Sequence, residues 1–154
     1  MRKSIIAVVM LVFALGANAQ QVELKVENGK YFSAEGALFT GTYDKYEGAT
    51  KVAQLNINNG MLNGAALYFY NNGKLKEKGQ YINGERVGSW TQYNELGNIT
   101  GVAGFANDEK NGEWIVWDDN GNKRFEMFYS NGKRTGTWKM WDDEGNLTTK
   151  DFGN

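Results

Sequence analysis

Three residue types are missing from this chain of 154: it has no cysteine, no histidine and no proline. Each absence narrows what the protein does. Without cysteine there are no disulfides, and stability has to come from packing and backbone pairing. A lipid anchor on a cysteine after a cleaved leader is excluded too. Without histidine and cysteine the usual nucleophile–base pairs and transition-metal ligands are gone, and among catalytic groups paired carboxylates remain conceivable. The lack of proline suits strands that must donate a hydrogen bond at every position. The formal charge is only −1, without the basic excess that marks nucleic-acid binding. No apolar run is long enough to span a bilayer, which takes about 20 residues.

The one apolar run, Ile5 to Leu15, follows Arg2 and Lys3 and precedes Gly16-Ala17-Asn18-Ala19. Positive start, apolar middle and small-x-small end are the three parts of a secretory leader. Residues 1–19 are therefore read as a signal peptide cut after Ala19, which leaves 135 of the 154 residues. Loss of Arg2 and Lys3 takes the formal charge from −1 to −3. The expected location is periplasmic or secreted. Residues 20–37 form an irregular lead-in, and 38–154 the repeat domain.

The repeat is carried by glycine, tryptophan and asparagine. Gly88-Ser89-Trp90, Gly112-Glu113-Trp114 and Gly136-Thr137-Trp138 stand 24 residues apart. Tyr93, Trp117 and Trp141 follow three residues after each tryptophan, then Gly97, Gly121 and Gly145 four further on. Asn59, Asn83, Asn107 and Asn131 close the units, with Asp108 standing where the others have glycine. An earlier unit has Gly64, Ala66, Phe69 and Gly73 in place, and Gly41, Tyr43 and Tyr46 begin another after a one-residue slip. A fixed period of this kind signals stacked supersecondary units. Aromatic and β-branched runs between Asn/Asp/Gly turns predict a hairpin per unit, with two strands of about six residues. Glycines at this spacing would interrupt a helix every two or three turns. The fold class expected is all-β: an elongated antiparallel meander of about four to five stacked 24-residue hairpins.

Strand alternation puts Trp114 and Val116 on one face and Ile115 and Trp117 on the other. Trp90, Trp114 and Trp138 are assigned to the core between repeats, and together with Gly88, Gly112, Gly136, Gly97, Gly121 and Gly145 they make up the repeat core and turns. Phe69, Tyr93, Trp117 and Trp141 are the candidate binding surface, because a single sheet cannot cover both of its faces. The acidic turns Asp118-Asp119-Asn120-Gly121-Asn122 and Asp142-Asp143-Glu144-Gly145-Asn146 offer oxygen ligands to calcium, but turn chemistry explains them without a metal, and no metal or cofactor is expected. Basic residues cluster at Lys74, Lys76 and Lys78, which fall on one side of a strand, and again at Lys123, Arg124, Lys133 and Arg134, as solvated charge that discourages edge pairing or as a contact for an anionic surface.

The string Asn131-Gly132-Lys133-Arg134-Thr135-Gly136-Thr137-Trp138 resembles the junction of MORN-type repeats. The longer unit is similar to the bacterial MORN-repeat variant of the YwqK-like proteins, over roughly Leu38 to Phe152. Ala66, Asp108 and Gly101-Val102-Ala103-Gly104 depart from that pattern and leave the second strand of the middle unit open. The resemblance implies a hairpin sheet with no catalytic centre and, in some relatives, an antitoxin or immunity role. A secreted chain fits a cytoplasmic antitoxin poorly. The expected function is that of an exported, non-enzymatic module that binds another protein or acts as a scaffold. The alternatives are an immunity protein acting in the envelope, and binding of a glycan or a membrane surface. Oligomeric state is open.

Overall fold

The computed structural model describes residues 23–153; the leader and its cleavage site lie outside the described residues. A small hairpin comes first, β1 (Lys25–Glu27) with β2 (Lys30–Phe32). Ten strands follow: β3 (Gly41–Glu47), β4 (Thr50–Asn58), β5 (Met61–Phe69), β6 (Leu75–Ile82) and β7 (Glu85–Tyr93), then β8 (Ile99–Ala106), β9 (Glu109–Trp117), β10 (Lys123–Ser130), β11 (Lys133–Trp141) and β12 (Leu147–Asp151). They form one antiparallel sheet in strict chain order, open at β3 and β12. The all-β meander is thus five hairpins long. Gly101–Gly104, where the repeat pattern breaks, lie within strand β8.

Strands β4 to β11 run eight or nine residues, longer than the six expected, because the turns at one end of the sheet take only two residues. Asn58 pairs with Met61, Ile82 with Glu85, Ala106 with Glu109 and Ser130 with Lys133. Both central residues have positive φ, for example 50° and 88° at Asn83 and Gly84. That is the turn whose twist matches the flanking strands, and Asn-Gly is its preferred pair. Asp108 holds φ at 63° without being glycine. Its carboxylate accepts from the backbone N–H and the Nε of Arg86, at 3.1 and 2.9 Å, bonds that glycine has no side chain to make.

At the opposite end the turns are longer and built around a side chain. Asp118 Oδ1 accepts the backbone N–H groups of Asn120 and Asn122, and Asn94 Oδ1 those of Leu96 and Asn98. The first unit has only a two-residue turn here, since Glu47 pairs directly with Thr50. This shorter turn is the source of the one-residue slip in the repeat.

Two kinds of bulge recur in every internal unit. In β5, β7, β9 and β11 three residues face one on the preceding strand, as between Lys110 and Trp114 opposite Gly104. Gly112 lies inside this bulge at φ 84°, with nothing within 4 Å of where a Cβ would stand. The backbone conformation, not space, requires glycine there. The second bulge leaves Lys76, Thr100 and Arg124 unpaired near the long turns. Bulges add local twist, and they repeat every 24 residues.

One face of this single layer holds the core. Ala53, Leu55, Ile57, Ala66, Trp90, Phe105 and Trp138 are buried. Rings from successive strands touch in a ladder: Tyr81–Trp90 at 5.0 Å, Trp90–Phe105 at 6.4 Å, Phe105–Trp114 at 5.2 Å, Trp114–Tyr129 at 5.4 Å, Tyr129–Trp138 at 5.2 Å and Trp138–Phe152 at 4.6 Å. Their tilted and edge-on contacts are those that ring quadrupoles favour. Tyr31 of the lead-in hairpin packs against the core cluster, which includes Ala66.

Ala66, where the repeat elsewhere has tryptophan, pairs with Gly79. The missing side chains leave room that the next tryptophan fills: Trp90 lies directly over Gly79, 2 % exposed. Trp114 and Trp138 adopt another pose, in which Nε1 donates to the carbonyls of Gly104 and Phe128. Trp90 Nε1 has no partner among the described residues.

Candidate functional site

The second face carries the candidate residues. Phe69, Tyr93, Trp117 and Trp141 each end the first strand of a hairpin and pair across it with Leu75, Ile99, Lys123 and Leu147. Tyr46 and Lys51 form the same pair in the first hairpin. Since paired residues share a face, one row of side chains crosses all ten strands beside the long turns. The rings are half-buried, whereas Ile99 and Leu147 are 45 % and 53 % exposed.

Sequence reasoning found the ring positions and missed their partners. Lys51, Leu75, Ile99, Lys123 and Leu147 also recur every 24 residues. They vary in chemistry, though, so they carry no motif until pairing places them between the rings. Lysine ammonium groups lie near three of the rings: Lys51 is 5.7 Å from the centre of Phe69, Lys78 5.8 Å from Tyr93 and Lys123 5.8 Å from Trp141. Lys51 is paired with Asp44. Glu126 joins Lys123 and Lys139 at 2.8 and 2.7 Å, and those two donors hold its carboxyl below the usual range. Lys76 and Lys78 have no carboxylate partner among the described residues.

At the C-terminal end the row opens into a recess of about 510 Å³ lined by Lys123, Arg124, Trp141, Asn122 and the turn residues Asp142 to Gly145. Arg124 sits at a bulge and bonds Asp118 and Asp143, at 2.7 and 2.9 Å, and the backbone carbonyl of Asp142. Partial burial raises the Asp118 carboxyl, but donors from Asn122 and Arg124 outweigh it and bring it below its ordinary value. A depressed carboxyl whose oxygens are held by turn donors is not poised to give up a proton near neutrality. Asp142 is held down in the same way, chiefly by Asn146. Among the described residues no group of three His, Cys, Asp or Glu side chains is placed to hold a metal ion. Asp118 and Asp142 are bonded instead by donors of their own turns and, for Asp118, by Arg124.

The first face has a charged fringe, of which only Arg134 stands out in the sequence, as part of a basic cluster. Arg86 stacks 4.0 Å from Phe105, Lys110 4.2 Å from Trp114 and Arg134 5.0 Å from Trp138. These cations also recur every 24 residues, and their stems cover the ladder.

Residues 62–83 and 110–133 match the repeat family described as MORN repeat variant. MORN repeats are generally non-catalytic and commonly bind proteins or membranes. No curated protein matches the chain. Among solved structures, a chain in the crystal structure of a GtfA/B complex bound to UDP and GlcNAc is similar at 11 % identity and a TM-score of 0.31. That similarity covers 92 % of this chain and 26 % of the other, so this protein spans about a quarter of its length.

Proposed function

We propose that the chain is an exported, non-catalytic binding and scaffolding module, and that the row from Tyr46 to Leu147 is its recognition surface. The observation that carries this reading is the division of labour between the two faces. One face buries its rings against each other, with indole N–H groups donating to backbone carbonyls. The other presents the same kinds of ring half-buried in a continuous row, without ring-to-ring contacts among them. Half-exposed aromatic groups that are regularly spaced on a hydrogen-bonded sheet are the kind of anchor that interfaces favour. Export is supported by the leader pattern of residues 1–19.

The test is retention of material from an envelope extract by the tagged chain, compared with Trp117→Ala and Trp141→Ala. Loss of retention with the fold preserved supports the row. Equal retention by all three, or hydrolytic turnover abolished by changing Asp118 or Asp142, overturns the reading. Export is checked separately by fractionation and by the mass of the mature N-terminus, with Gln20 expected as its first residue.

A further inference from the structure

We propose that this row binds an extended β-1,4-linked glycan bearing carboxylates, with a sugar stacked on each ring and acid groups beside the lysines near Phe69, Tyr93 and Trp141. The inference rests on the row being the recognition surface and names what that surface takes. Tyr46, Phe69, Tyr93, Trp117 and Trp141 lie on alternate strands. With neighbouring strands about 4.8 Å apart, the rings recur about every 9.6 Å. In an extended β-1,4-linked chain successive sugars are flipped, so the same sugar face returns once per disaccharide, over nearly that length. An extended peptide returns to the same side about every 6.8 Å and falls out of step within one unit.

Chemistry points the same way as spacing. A pyranose offers a flat C–H face, electropositive like the ring edges that aromatic faces attract. Lysine ammonium groups lie within 6 Å of three ring centres, those of Lys51, Lys78 and Lys123, within reach of a carboxylate on a sugar held there; Lys51 and Lys123 also pair with Asp44 and Glu126. Lys78 has no competing carboxylate among the described residues, so an anion there fills an open electrostatic position.

The experiment titrates the full purified chain with β-1,4-linked mannuronate di-, tetra- and hexasaccharides, and with cellohexaose as the uncharged chain of the same linkage. Calorimetry and tryptophan fluorescence read the binding. Affinity is expected to rise with each added disaccharide and to fall as salt is raised. Trp117→Ala or Trp141→Ala should weaken the hexamannuronate about tenfold, and Lys78→Met should flatten the salt dependence. Trp117→Phe, which keeps a ring, should retain most of the affinity and shows that the row itself is intact. Absence of hexamannuronate binding at millimolar concentration, affinity independent of length, or equal binding of cellohexaose overturns the inference. If hexamannuronate fails while a protein is retained from extract through Trp117 and Trp141, the row stands as a binding surface and the glycan assignment falls.

Discussion

Substituting Gly79 by alanine tests whether the contact between Trp90 and the bare strand is a stabilising element. A Cβ at residue 79 would stand 2.1 Å from Cδ2 and 2.2 Å from Cε2 of Trp90, so the indole has to move. Its neighbours are close: Tyr81 and Phe105 meet it edge-on at 5.0 and 6.4 Å, and Tyr68 lies 6.4 Å away. Overpacking of a filled site costs about 1–3 kcal/mol. Two effects oppose it. Alanine is better than glycine within a strand by up to about 1 kcal/mol. A ring turned toward the pose of Trp114 would also find an acceptor for Nε1, a gain of about 1 kcal/mol. That pose is open to Trp114, which pairs with Ala103, whereas Tyr68 and Tyr81, joined by their hydroxyls at 3.1 Å, crowd Trp90. The expected outcome is a net loss of about 1–2 kcal/mol, read as a lower urea midpoint at unchanged slope and a fall in Tm of roughly 5 °C. The double variant Gly79→Ala with Trp90→Phe should recover part of this, with a coupling of about 1 kcal/mol. A Gly79→Ala protein as stable as the parent, or more so, would show that the Trp90–Gly79 contact is not stabilising.

Other expectations follow from the same geometry. Trp90→Ala should cost about 3–5 kcal/mol in urea unfolding, whereas Trp117→Ala, on the half-exposed row, should cost no more than about 1–2 kcal/mol; similar losses would mean that both faces are core. Gly112→Ala should cost about 1–2 kcal/mol through its positive φ alone. D-alanine introduced there by chemical ligation should be neutral or stabilising, since a residue of the opposite hand favours positive φ. The carboxyls of Asp108, Asp118, Glu126 and Asp142 are all held below their ordinary values by bonded donors. Their contribution is therefore complete above the unfolded carboxylate range, about pH 4–5, and is lost as pH falls through the lower folded values. The urea midpoint should be flat from pH 7 to about pH 5 and drop toward pH 3, and a midpoint that rises on acidification would contradict these assignments.

The repeat was legible because its strongest constraints are local. An Asn-Gly pair at two positive φ values, or an aspartate closing on its own turn, needs only a few consecutive residues, so each leaves a motif such as Asn131-Gly132 or Asp118 to Asn122. Strand alternation is local as well, and it alone assigns Trp114 and Trp117 to opposite faces. Pairing partners are not local in this sense. Leu75, Ile99, Lys123 and Leu147 share a row and a period but no common chemistry, and only the hydrogen-bond register shows that they complete the ring surface. The cation row of Arg86, Lys110 and Arg134 escaped for the same reason.

The all-β class, the 24-residue unit, the two kinds of turn and the sorting of rings between faces follow from the amino-acid order alone, because period and turn chemistry act within one hairpin. Only the tertiary structure decided how the irregular units are accommodated. Ala66 leaves room that Trp90 fills over Gly79, and Asp108 holds a glycine's conformation with Arg86 bonded to its carboxylate. Gly104 lets the bulged backbone of β9 come close, since a Cβ there would stand 2.0 Å from the Asn111 carbonyl oxygen. Each of these is a fit between side chains or backbones from different strands. Close packing judges such fits only once the strands are in register.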